Sequence, residues 1–155
     1  MRVTLDLASP VLADSELFAR AARIAIEAAI LVCSAHLRAF PQTPPLYRSG
    51  VRYRMEPPGV EEFSDIEAII RRGWADCAQL CAWRVAELRR QGEPATIRIK
   101  WHPPRPDGRR LFHVQVRRAD GRIEDPSVRL GMNSGDAVPV QLKPLNNYQR
   151  QDGRR

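Results

Sequence analysis

The chain has too few cysteines to be held together by them. There are three in 155 residues, an odd number with no Cys-x-x-Cys spacing, so neither a disulfide framework nor a thiolate zinc site is expected. Long apolar runs are missing too. The best candidate, Ile24 to Leu37, is interrupted by Glu27 and His36 and falls short of the roughly 18 apolar residues that span a bilayer, so no membrane contact is expected. The stretch Met1 to Leu7 alternates in polarity and has no apolar leader core, which points to a cytoplasmic protein, or one packaged from the cytoplasm. Aromatics are only 6% of the residues while proline occurs 13 times, the composition of a loop-rich surface.

What is present reads as one globular domain. The length suits a single core, and 43% hydrophobic with 28% charged residues is not the composition of a disordered chain. The net charge of +7 comes from 25 Lys and Arg against 18 acids, almost all of the positive residues being arginine. Such a surface suits nucleic acid, an acidic protein or an anionic polymer. The arginines are scattered, however, with a small basic cluster only at Arg150 to Arg155. No nucleic-acid-binding module is recognisable, and nucleic acid is not the expected partner.

Periodicity orders the chain. Residues 2–7 read as a strand, and Asp14 to Phe40 as a long helix with Leu17, Ala21, Ile24, Ala28, Leu31 and Ala35 at helical spacing, capped by Asp14 or Ser15. Pro41 to Pro45 stops it. Val51 to Met55 alternates as a short strand that Pro57-Pro58-Gly59 ends. A second helix is predicted over Glu61 to Arg72, with Phe63, Ile66, Ile69 and Ile70 on one stripe and Gly73 closing it. The third runs from about Asp76 to Gln91, directing Leu80, Trp83, Leu88 and Ala86 or Val85 inward and Arg84, Glu87, Arg89 and Arg90 outward, with Gly92 as its stop. Strands follow at Ala95 to Trp101, Leu111 to Arg118 and Arg122 to Asp125, with a proline-rich loop over His102 to Gly108. From Pro126 on, periodic signals fade into a wrapping arm.

Chemistry concentrates at Gly73-Trp74-Ala75-Asp76-Cys77-Ala78. A thiol there meets unpaired helix N–H groups and the positive end of the helix dipole, which favour a thiolate and offer donors to an oxyanion. A small buried cysteine heading a core helix has the same local sequence. Cys81, one turn further, reads as core, and Cys33 with His36 as packing and ordinary polarity. Of three histidines, His113 is the one embedded in a strand, where it shares a face with Gln115. If Ala119-Asp120-Gly121 form a three-residue loop with Gly121 left-handed, Gln115 opposes Asp125. His113 then becomes the diagonal neighbour of that carboxylate.

From Ile66 to Ser127 the chain resembles the transglutaminase-like branch of the papain-type cysteine enzymes. The residues that carry the resemblance are the helix opening at Asp76-Cys77, the arginine-containing helix end Arg89-Arg90-Gln91-Gly92-Glu93-Pro94-Ala95, the strand with His113, and Glu124-Asp125-Pro126-Ser127. The resemblance implies an α+β fold in which the nucleophile helix packs on a small antiparallel sheet. Residues 60–127 would be the core, 1–59 a helix and extended arm, and 128–155 a tail. It also implies acyl transfer on a protein or peptide substrate, with Cys77 as nucleophile, His113 as base and then acid, and Asp125 as orienting carboxylate. Protease, amidase and transglutaminase are all compatible, and no metal or organic cofactor is expected. The Cys77 N–H would be one oxyanion donor, with Trp74 favoured over Gln42 and Tyr53 for the second. Three features depart from the family pattern: Ala75 where a glycine is common, Glu93 in place of an apolar residue, and a short His113-to-Asp125 hairpin. Glu124 to Met132 is also similar to small proteins encoded among the virion-assembly genes of tailed bacteriophages. That likeness implies a structural or assembly protein with an idle triad, touching other virion proteins.

Overall fold

The protein is seen in a computed structural model that describes residues 2–6, 15–56, 60–102 and 112–133. In chain order it forms β1 (Arg2–Asp6), α1 (Ser15–Ala39), a 3-10 turn (Leu46–Arg48), β2 (Arg52–Tyr53), β3 (Val60–Ser64) and α2 (Ile66–Arg72). Then follow β4 (Trp74–Ala75), α3 (Cys77–Arg90), β5 (Thr96–Trp101), β6 (Phe112–Arg117), β7 (Ile123–Glu124) and α4 (Pro126–Arg129). Helices and small sheets are mixed, an α+β architecture. The Asp14 cap, the Pro57-Pro58-Gly59 break, the proline-rich loop beyond His102 and the tail with Arg150 to Arg155 lie outside the described residues.

At the centre lies α3. Eleven of its 14 residues are buried, because α1 packs along it on one side and the antiparallel sheet β5-β6-β7 on another. Asp76 starts the helix by accepting the Gln79 N–H at 2.9 Å, the expected work of an N-cap aspartate. Trp83, Leu80, Val85 and Leu88 are fully buried, in line with their inward assignment. Glu87 is not outward as expected. It is buried, accepting the Leu46 N–H and an Arg84 N–H, since the proline-bounded turn after α1 folds back over this side of α3.

Two other expectations shift. Residues 61–64 are strand rather than helix: they pair antiparallel with β1, Val3 opposite Phe63. Asp65 then caps α2 through the Ala68 N–H at 2.9 Å. Phe63, Ile66 and Ile69 still point inward, so apolar spacing alone does not separate a strand that runs into a helix from one longer helix. The arm expected over Val51 to Met55 contracts to Arg52–Tyr53, held in parallel by β4. The long first helix forms as predicted, yet α1 packs on α3 through Ile26, Ile30, Cys33 and Leu37, whereas Leu17, Ile24 and Leu31 face outward.

The last hairpin adopts the three-residue loop. Val116 opposes Glu124 and Arg117 opposes Ile123, the Gly121 N–H donates to the Arg118 carbonyl, and Gly121 sits at φ 84°. Nothing lies within 4 Å of where a Cβ at Gly121 would stand, so a substitution there probes backbone conformation alone. Gly121→Ala is expected to lower stability in urea unfolding by about 1–2 kcal/mol, and Gly121→Asn by less, because asparagine tolerates the left-handed region.

Candidate active site

The hairpin register carries Asp125 to the same side as His113. The ring Nε2 of His113 lies 2.7 Å from Asp125 Oδ2, and because a carboxylate only accepts, Nε2 carries the proton and Nδ1 is left as the ring's acceptor. Gln115, two residues on along β6, donates through Nε2 to the same oxygen at 3.0 Å. The other oxygen of Asp125 accepts the Ser127 and Val128 N–H groups and so caps α4, with Pro126 at its first position. One aspartate is thus fixed from both sides, oriented by a helix start and a strand face. Burial alone would raise its pKa, but the hydrogen bonds from His113 and Gln115 and the His113 charge outweigh that and hold the carboxyl below its usual range.

Cys77 is the first residue of α3, just after the Asp76 cap, and is buried at 4% exposure. One turn along the same face, Cys81 donates its S–H to the Val114 carbonyl at 3.3 Å, next to His113 in β6. That contact seats the N-terminal half of α3 on the strand that bears the histidine. Cys81 has its pKa raised well above the ordinary value by burial, then by the negative charges of Cys77, Asp125, Asp76 and Glu124. Cys33 is pushed up to about 12 by burial, with Asp65 and Glu87 adding to it. Neither is suited to be a thiolate at neutral pH.

Trp74 opens β4, three residues before Cys77. The guanidinium groups of Arg54 and Arg72 lie 4.9 and 4.3 Å from the centroid of its ring, and its carbonyl accepts from Arg72 Nε at 2.7 Å. Tyr53 is across the β2–β4 pair from Ala75 and gives its backbone N–H to Leu130, so a donor from this residue would have to be its hydroxyl. Gln42 follows α1, whose end is tied to the far end of α3 by Arg90 donating to the Leu37 carbonyl. It stands well away from Cys77.

Sequence reasoning missed two polar networks that hold the site. Glu124, the neighbour of Asp125, accepts from Arg84 Nε and from an Arg118 N–H, each at 2.6 Å, and from the Tyr47 hydroxyl. Arg118 also pairs with Glu93, so Glu93 clamps the hairpin that delivers Asp125. Near the start of α3, Glu56 accepts from Gln79 Nε2 at 3.1 Å and from the Glu62 N–H at 2.8 Å, while Gln79 Oε1 accepts from Arg72. Burial and then the Asp76 charge push Glu56 up to about 7, against the lowering effect of those bonds and of Arg72. These partners lie tens of residues apart, and no sequence spacing announces them.

Among the described residues no group of three or more His, Cys, Asp or Glu side chains could hold a metal ion, and no helix is long and apolar enough to cross a membrane.

The two networks respond to pH with opposite sign. Burial would raise Glu124, yet its bonds to Arg84, Tyr47 and Arg118 hold it down at about 2. Its contribution is therefore complete above the ordinary value of 4.5 and lost as pH falls toward 2. Glu124→Gln is expected to cost about 2 kcal/mol at pH 7, a difference that shrinks in urea titrations between pH 4.5 and 2. Glu56 has a raised carboxyl, so the wild type loses stability as pH rises from 4.5 to 7 while Glu56→Gln does not. The stability of the wild type relative to Glu56→Gln is expected to fall across that window and stay constant above it. No family model, curated protein or solved structure matches this chain.

Proposed function

We propose that the protein is a cysteine acyl-transfer enzyme with a transglutaminase-like, papain-type core, and that Cys77, His113 and Asp125 are its catalytic residues. The observation that carries this reading is the 2.7 Å contact between His113 Nε2 and Asp125 Oδ2, because it leaves Nδ1 as a base on a strand against which the cysteine-headed helix is seated. The Cys77 thiolate attacks the carbonyl carbon of an amide, forming a C–S bond while the oxygen takes up the negative charge. The Cys77 backbone N–H, at the positive end of α3, stabilises that oxyanion. Protonated His113 then gives its proton to the leaving nitrogen, the C–N bond breaks, and a thioester remains. Water or an amine, deprotonated by His113, attacks the thioester and restores the thiol, so the same residues serve a protease, an amidase or a transglutaminase. Asp125 keeps the imidazole in one tautomer and balances its charge when protonated.

The burial of Cys77 at 4% exposure favours a second reading, a bacteriophage virion or assembly protein that keeps the fold with an idle triad. One experiment separates the two. Iodoacetamide at neutral pH, read by peptide mass spectrometry, is expected to label Cys77 well ahead of Cys33 and Cys81, and His113→Ala to slow that labelling by at least tenfold with the fold intact by circular dichroism. Equal, slow labelling of all three thiols in the folded protein would sink the enzyme reading and favour the structural one.

A further inference from the structure

α1 is apolar on two sides, and among the described residues only one of them is buried in the core. The inner side is Ala22, Ile26, Ala29, Ile30, Cys33 and Leu37, all buried against the core. The outer side is Leu17, Ala21, Ile24, Ala28, Leu31 and Ala35, in which steps of four and three residues alternate without a break. That is the seam of a helix that pairs with another helix. Ile24 and Leu31 are 72% and 67% exposed and Leu17 43%; together they are half of the large apolar side chains exposed among the described residues. Scattered exposed leucines are ordinary, but three at seven-residue intervals on one helix face form a continuous strip.

The order of sizes within the strip points to what covers it. Large residues recur at every seventh position and alanines at every seventh position between them. Laid antiparallel on a copy of itself about a two-fold axis near Ile26, the strip places Leu17 on Ala35, Ala21 on Leu31 and Ile24 on Ala28, each pair occurring twice. Every large side chain then meets an alanine, so the two backbones approach closely with no layer overfilled or hollow. A parallel pair in register would put Ile24 on Ile24 and Ala28 on Ala28, alternating crowded and empty layers. Charge does not oppose the antiparallel arrangement. Glu27, which lies on the flank nearest the axis, is already ion-paired with Arg89 of its own chain at 3.2 Å, so the two copies do not bring bare carboxylates together.

We infer that the outward face of α1 is the interface of a two-fold symmetric antiparallel homodimer. The strip is about 27 Å long and 10 Å wide by helix geometry, so pairing through it alone buries less than a standard-size interface, the regime of weak, transient association. The dimer is accordingly reversible, its population rising with concentration. The face lies on the side of α1 turned away from α3, so pairing leaves Cys77, His113 and Asp125 uncovered by this helix.

Sedimentation velocity of the full chain over a concentration series tests this. The wild type is expected to shift from one chain to two with rising concentration, and Ile24→Glu/Leu31→Glu to remain one chain throughout with unchanged circular dichroism, since both side chains are exposed in the single chain. A wild type that stays a monomer at its highest soluble concentration, or a double variant that still dimerises, overturns the inference. Orientation is read independently by oxidation of cysteine variants. Ile24→Cys/Ala28→Cys is expected to yield a disulfide-linked dimer, and Ile24→Cys alone none; efficient crosslinking of the single variant would mean a parallel pair and overturn the antiparallel assignment.

Discussion

The burial of α3 on nearly every side is the constraint from which the rest of the molecule follows. A helix enclosed by α1 and the β5-β6-β7 sheet has little water to satisfy its buried Asp, Gln and Glu side chains, so these are met by protein partners. Asp76 turns back to cap the helix, Gln79 reaches Glu56 and Arg72, and Glu87 takes the Leu46 N–H and an Arg84 N–H. Each of these bonds draws in a segment from elsewhere in the sequence. The turn after α1, the arm before β3 and the end of α2 are held at the helix because its polar residues need them.

The same demand extends to the candidate site. Arg84 bridges Glu87 on its own helix and Glu124 on β7, and Glu124 also holds Arg118, which holds Glu93 just beyond the helix end. The short strand β7 and the start of α4 are thereby pinned against α3 from both ends. Asp125 stands between those pinned points, with one oxygen spent on the α4 N–H groups and the other turned to His113 and Gln115. A catalytic dyad needs its carboxylate held to within a fraction of an ångström. In this candidate dyad the carboxylate is held by ion pairs whose members never touch the imidazole.

The hairpin and the candidate dyad were legible in the sequence because both rest on local rules. A glycine in the left-handed position after a type I turn fixes a three-residue loop, and strand alternation then dictates which residues share a face. His113 and Asp125 follow from that register. The switch from strand to helix at Asp65 was not legible, since Phe63, Ile66 and Ile69 lie inward under either assignment and the strand exists only because β1 pairs with it. Nor was the choice between the two apolar sides of α1. Its amphipathic period is visible in the chain, but both sides satisfy it.

Sequence by itself determined the boundaries of α1 and α3, the stop at Gly92, the turn at Gly121 and the residues able to serve as thiol, imidazole and carboxylate. Each depends on backbone dihedrals or spacing within a few residues, which the chain encodes directly. Only the tertiary structure decided which face of α1 meets the core, that Glu87 and Glu56 are buried, and that Glu124 and Glu93 clamp the hairpin beside Asp125. Those outcomes are matters of which distant segments share a desolvated space. A buried charge declares its partner only when the fold has brought the two together.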